Sequence, residues 1–128
     1  MKTISTTGAP EAIGPYSQAM QVGDMLYTSG QIALTPAGDM VNGDIHEQAH
    51  QVLKNLGEVL AAAEATYSDV IKTTIFLADM DDFLAVNTVY AEYFGDHRPA
   101  RSTVAVKTLP KNAKLEIECI AKLLQYNY

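Results

Sequence analysis

Two runs of strict alternation near the carboxyl end constrain this chain more than anything else in it. From Ser102 to Leu109, Val104, Val106 and Thr108 fall on one side and Thr103, Ala105 and Lys107 on the other, which is the two-residue period of a strand. From Leu115 to Leu123, the residues Leu115, Ile117, Cys119, Ala121 and Leu123 share one face, while Glu116, Glu118, Ile120 and Lys122 share the other. Pro110, Lys111, Asn112 and Ala113 between them carry turn chemistry, so the simplest pairing is an antiparallel hairpin. Arg101 stands at the start of the first strand. A guanidinium on rigid backbone offers a planar fork of donors for a small carboxylate, although an isolated strand-end arginine reads first as a solvated charge. Glu118, mid-strand between Ile117 and Cys119, is expected to be partly enclosed and to need a partner. Glu116, nearer the turn, reads as a solvated control on the same face.

Upstream, Gly14-Pro15-Tyr16-Ser17-Gln18-Ala19 leads into a strand ending near Val22, and Gly23-Asp24 predicts a tight turn into Met25 to Ile32. Thr28, Ser29 and Gly30 are either a bulge or a place where a ligand approaches backbone N–H groups. Ile45, Ala49, Val52, Leu53, Leu56, Val59, Leu60 and Ala63 fall within about 120° of arc, predicting an amphipathic helix over Ile45–Ala63. Asp44 with Glu47 reads as its capping box. His46-Glu47-Gln48-Ala49-His50 matches the zinc-protease pattern, but both histidines project away from the apolar stripe and no third ligand is near, so no metal is expected. Val70 to Ala78 predicts a strand covered on both sides, with one cover unaccounted for by so short a chain. Asp81 or Asp82 then caps a second helix ending at Phe94, with Gly95 as its stop. Phe83, Val86, Tyr90, Tyr93 and Phe94 form its stripe. Asn87, about 40° from Phe83 on the helical wheel, falls inside that stripe and needs either a structural bond or a site to serve.

The expected order is β-β-α-β-α-β-β, an α+β fold with a mixed sheet and two helices on one face. All 128 residues read as a single domain. A formal net charge of −6 argues against general nucleic-acid binding. The absence of a long apolar run argues against a membrane span or export signal, which leaves a cytoplasmic reading. The single cysteine, Cys119, excludes an internal disulfide and reads as an inert packed thiol.

Three segments, GPYSQA at Gly14 to Ala19, TSGQI at Thr28 to Ile32 and PARSTVAVKTLPKNAKLEIE at Pro99 to Glu118, together resemble the Rid family of reactive-intermediate (imine/enamine) deaminases, also called the YjgF family. The likeness extends through KTTIFLADMDDF and leaves only the tail Leu123 to Tyr128 looking additional. The resemblance implies a chorismate-mutase-like fold and a homotrimer with clefts between subunits, which would cover the strand at Val70 to Ala78. It implies that Arg101 clamps the carboxylate of a 2-imino acid, helped by the Thr103 backbone N–H. It implies that Glu118 orients a water together with the Thr103 carbonyl, and that Tyr16 reaches the substrate from a neighbouring subunit. Ser29, Gly30 and Asn87 would line the cleft. Many relatives carry cysteine where this chain has Thr103. The implied reaction is hydrolysis of 2-iminobutanoate or 2-iminopropanoate to the 2-keto acid and ammonia, without cofactor or metal, in amino-acid metabolism. A non-catalytic carboxylate-binding regulatory trimer and a ribonuclease or translation inhibitor are the competing readings.

Overall fold

The computed structural model describes residues 1–124, so that Gln125 to Tyr128 of the additional tail lie outside the described residues. Six strands form one sheet: β1 (Lys2–Ile4), β2 (Ala19–Val22), β3 (Met25–Thr28), β4 (Val70–Leu77), β5 (Ala100–Ala105) and β6 (Leu115–Lys122). Two helices, α1 (Ile45–Ala62) and α2 (Phe83–Phe94), complete an α+β fold. The spatial order is β1-β2-β3-β6-β4-β5, antiparallel throughout except for the parallel pair β4 and β5.

The expected hairpin between β5 and β6 does not form. β4 lies between them, pairing antiparallel with β6 from Leu77↔Leu115 to Val70↔Ala121 and parallel with β5 from Lys72↔Ala100 to Leu77↔Ala105. α2 supplies the long crossover that parallel neighbours require. Alternation gives the faces correctly over residues 102–105 and over Leu115–Lys122, but a strand's period carries no information about its partner. The first run also pairs only as far as Ala105. β1, three residues long, had too little pattern to be read from sequence.

Local chemistry accounts for most element ends. Asp44 accepts the Glu47 N–H at 3.0 Å and opens α1, which is one half of the expected capping box; the returning bond from the Glu47 side chain is absent among the described residues. Gly23, at φ +59°, makes the turn between β2 and β3. The start of α2 differs from expectation. Asp79 caps a short 3₁₀ turn at Met80–Asp82 that runs into the helix, and Asp82 at the helix N-cap makes no capping bond. Gly95, at φ +61°, ends α2 as expected.

The core lies between the helices and one sheet face. Leu26, Ile75, Leu77, Leu115 and Ile117 meet Val52, Leu53, Leu56, Val59 and Leu60 of α1 with no exposed surface. Burying side chains of this size contributes on the order of 1.5–3 kcal/mol each. Two amides interrupt the buried stripe of α1 and act as pins. Gln48 donates to the Val41 carbonyl and accepts the Lys114 N–H, both at 3.0 Å. Asn55 donates to the carbonyls of Ile32 and Leu34 at 3.2 and 2.8 Å. The opposite sheet face carries no helix, and Tyr27 and Val104 stand exposed on it with Phe76 and Ile120 half-buried. No helix is long and apolar enough to cross a membrane among the described residues.

Candidate active site

β5 is the last strand of the sheet, and among the described residues no strand pairs with its outer edge. The Val106 N–H donates to the Leu77 carbonyl at 2.8 Å. Strand phase therefore turns the N–H and C=O of Thr103 away from β4 and toward the open edge. Arg101 is in register with Thr73, whose side chain bonds the Tyr90 hydroxyl at 2.8 Å, so the arginine rises on the helix side. Its guanidinium lies over two rings of α2, 5.0 Å from the centre of Tyr90 and 5.5 Å from that of Phe83. It makes no hydrogen bond or ion pair among the described residues, so its planar fork is held in place with its donors unspent. Arg98 differs, since it donates to the carbonyls of Gly95 and His97. Asn87 and Arg101 border the same cavity, of about 290 Å³. Asn87 is half-buried and makes no hydrogen bond among the described residues.

A second cavity, of about 230 Å³, opens elsewhere, and Tyr16, Gly30, Lys111 and Glu116 line it. Thr28 accepts the Cys119 N–H through its side chain at 2.9 Å, and Gln31 exchanges two backbone bonds with Ile117. Ser29 and Gly30 between them form the anticipated interruption of the strand. Ser29 spends its hydroxyl on the Ser17 carbonyl at 2.6 Å. It positions the start of β2 and does not line the cavity. At Gly30 the backbone comes close to the Glu116 carboxylate: a Cβ there would sit 2.5 Å from Glu116 Oε2.

The two glutamates differ in placement from what the sequence suggests. Glu116, read from sequence as the solvated control, borders the cavity with Tyr16 and Gly30, whereas Glu118 does not border it. Burial pushes the Glu116 carboxyl above its ordinary value, and the Glu118 charge adds to the shift. Both follow β6 parity onto the helix-free face, in register with Phe76 and Thr74. Parity could not distinguish them, because the cavity is placed by the Gln31–Ile117 bridge. Lys111 and Asn112, both at φ +55°, hold the adjoining turn in a left-handed conformation without glycine. No residue borders both cavities. The Thr103 hydroxyl is buried and has no hydrogen-bond partner among the described residues.

The remaining sequence motifs are accounted for structurally. His50 bonds the Tyr93 hydroxyl at 2.9 Å and approaches Glu92 at 3.5 Å. Among the described residues no three metal-binding side chains gather. Cys119 is buried, and its thiol is pushed up to about 12 by burial, which makes it inert.

A protein-family profile described as Endoribonuclease L-PSP matches residues 6–123. The chain belongs to this family, the YjgF/Rid family. It is 53% identical to mouse 2-iminobutanoate/2-iminopropanoate deaminase, over 94% of this chain and 90% of that protein. It is 52% identical to the Arabidopsis thaliana chloroplastic Reactive Intermediate Deaminase A, over 95% of this chain and 66% of that one. Among solved structures, the YjgF gene product of E. coli superposes with a TM-score of 0.91 at 46% identity, over 95% of this chain and 98% of that one. E. coli TdcF with bound serine superposes with the same score at 43% identity, with the same shares covered. The two solved structures are thus alike in fold to this chain over 95% of its length.

Proposed function

We propose that this chain is an imine deaminase, which hydrolyses the C=N bond of short 2-imino acids such as 2-iminobutanoate and 2-iminopropanoate to the 2-keto acid and ammonia. The observation that carries the reading is the pairing of chemistries: a ring-braced guanidinium with unspent donors beside the outer edge of β5, and a carboxyl of raised proton affinity beside a glycine. The relatives of like name add to it.

The proposed site joins the Arg101 cavity of one copy to the Glu116 cavity of another, in a homotrimer. Arg101 and the outward Thr103 N–H hold the substrate carboxylate, and Asn87 braces the Arg101 side of the site. Tyr16 and Gly30 form the opposite wall. Glu116 takes the place expected of Glu118: it orients a water, with the Thr103 carbonyl as second acceptor, and removes a proton as the water oxygen bonds to the imine carbon. That proton reaches nitrogen to give the carbinolamine; the carboxylate then takes the carbinolamine hydroxyl proton and passes it to nitrogen as the C=O bond forms, the C–N bond breaks and ammonia leaves. A carboxyl with raised affinity for protons suits both halves of this exchange. The imine carbon is already electrophilic, so the sequence of steps calls for no cofactor or metal. The apolar residues on the helix-free face, Tyr27, Phe76, Val104 and Ile120, suit burial against another copy. Cytoplasmic placement belongs to the same proposal. The net charge of −6 disfavours the phosphate-backbone contact that an endoribonuclease needs.

The test runs a pyridoxal-phosphate dehydratase that releases 2-iminobutanoate in excess semicarbazide, with and without this protein. The expected result is faster loss of imine to 2-oxobutanoate, abolished by Arg101→Ala. Unchanged semicarbazone yield with the intact protein would rule the activity out.

A further inference from the structure

Between β1 and β2 the chain crosses residues 5–14 without helix or strand, and this strap builds one wall of the cavity that holds Glu116. Pro10, Glu11, Ala12 and Ile13 border that cavity directly. The Ile13 N–H meets the Tyr16 hydroxyl at 3.4 Å, so the strap also bears on the phenol. Apart from the local bonds that Ile13 and Gly14 make with Tyr16, its hydrogen bonds to the rest of the described chain end on one side chain. Gln18, only 5% exposed, accepts the Thr6 N–H at 2.7 Å and donates to the carbonyls of Thr6 at 3.2 Å and Pro10 at 2.8 Å. The carboxamide thus imitates a strand partner for Thr6 and captures the one backbone polar group that Pro10 possesses. Ala9, buried in the core, is the strap's apolar anchor.

There is space for the strap to leave. A second hollow, of about 710 Å³, lies along its other side, and Glu11, Ala12, Tyr16 and Gln18 border both. Packing therefore does not confine Glu11 and Ala12 from behind, and the hydrogen bonds of Gln18 decide where that wall stands. We infer that Gln18 is a positioning residue for substrate binding: its carboxamide fastens the strap so that Tyr16 and residues 10–13 form a fixed cavity wall. The inference rests on the proposed function for its substrate, and on geometry alone for its mechanism. Gln18 touches no reacting atom, so its loss weakens binding and leaves the chemical step in place.

The test replaces Gln18 by methionine, which keeps length and removes all three bonds, and by glutamate, which keeps the acceptor for Thr6 and removes both donors. Amide hydrogen exchange at Thr6 is expected to accelerate about tenfold or more in Gln18→Met. KM is expected to rise about tenfold with kcat held within about twofold. Gln18→Glu is expected to give a smaller rise, and it serves alone where the methionine variant does not fold. Leu26→Ala, a core variant that lowers the melting temperature without touching the strap, is expected to leave KM unchanged. A KM that stays constant while Thr6 opens overturns the inference, as does a Thr6 amide that stays protected. Should the intact protein turn over no imine, the proposed function fails separately. Binding of 2-oxobutanoate then decides: a tenfold weaker fit in Gln18→Met supports the positioning role, and equal affinity overturns it.

Discussion

Arg101 and Glu116 leave the sheet on opposite faces, the arginine in register with Thr73 beneath α2 and the glutamate in register with Phe76 on the side without helices. A single copy therefore cannot close one cavity around both groups.

Complementation reads this out directly. Arg101→Ala and Glu116→Gln are each expected to be inactive alone. Dissociating the two variants and reassembling them at equal ratio is expected to return about a quarter of wild-type turnover, since each site then draws each side at random from two kinds of subunit. A mixture as inactive as its components would place both groups in one chain's own site.

The two glutamates separate on activity. Removing a general acid–base group costs about 10²–10⁴-fold in rate, so Glu116→Gln is expected to lower kcat by at least a hundredfold. Glu118→Gln is expected to stay within about threefold. Steady-state rates in the semicarbazide competition measure both, and the reverse ranking would return the role to Glu118.

Gly30→Ala tests the close approach. The nearest atoms to a methyl group there all belong to the flexible Glu116 side chain, so the carboxylate swings aside at little cost in stability. The expected outcome is a melting temperature changed by less than about 2 °C, with kcat reduced about tenfold or more.

Glu116 also predicts a pH dependence of stability. Its carboxyl binds protons more tightly in the folded chain than in the unfolded one, so the folded state holds more protons just above the ordinary glutamate value. Stability attributable to this group is present at low pH and falls as pH rises through the raised folded value. Urea unfolding from about pH 4 to pH 7 is expected to show wild type losing stability relative to Glu116→Gln across that window. A constant difference would mean that the carboxyl titrates normally.

Much of this was legible in the chain. The turn at Gly23-Asp24, the cap at Asp44, the stop at Gly95 and the buried parity of Cys119 follow from local chemistry, which sequence carries directly. The insertion of β4 between β5 and β6 did not, because pairing depends on where a crossover helix returns the chain. Asn87 announced itself as an amide in an apolar stripe and lies beside Arg101. Gln18 gave no such signal: one amide in a short motif looks like any surface glutamine until the strap folds over it. The different surroundings of Glu116 and Glu118 depend on Gly30 and Gln31, 86 positions before Glu116 and Ile117.

The division of the two groups between opposite faces makes the proposed activity a property of a population. Below the concentration at which copies find one another, each folded chain would carry half a reagent, and specific activity would fall on dilution even though no molecule had unfolded. The amount of protein present would then act as a threshold for its own chemistry.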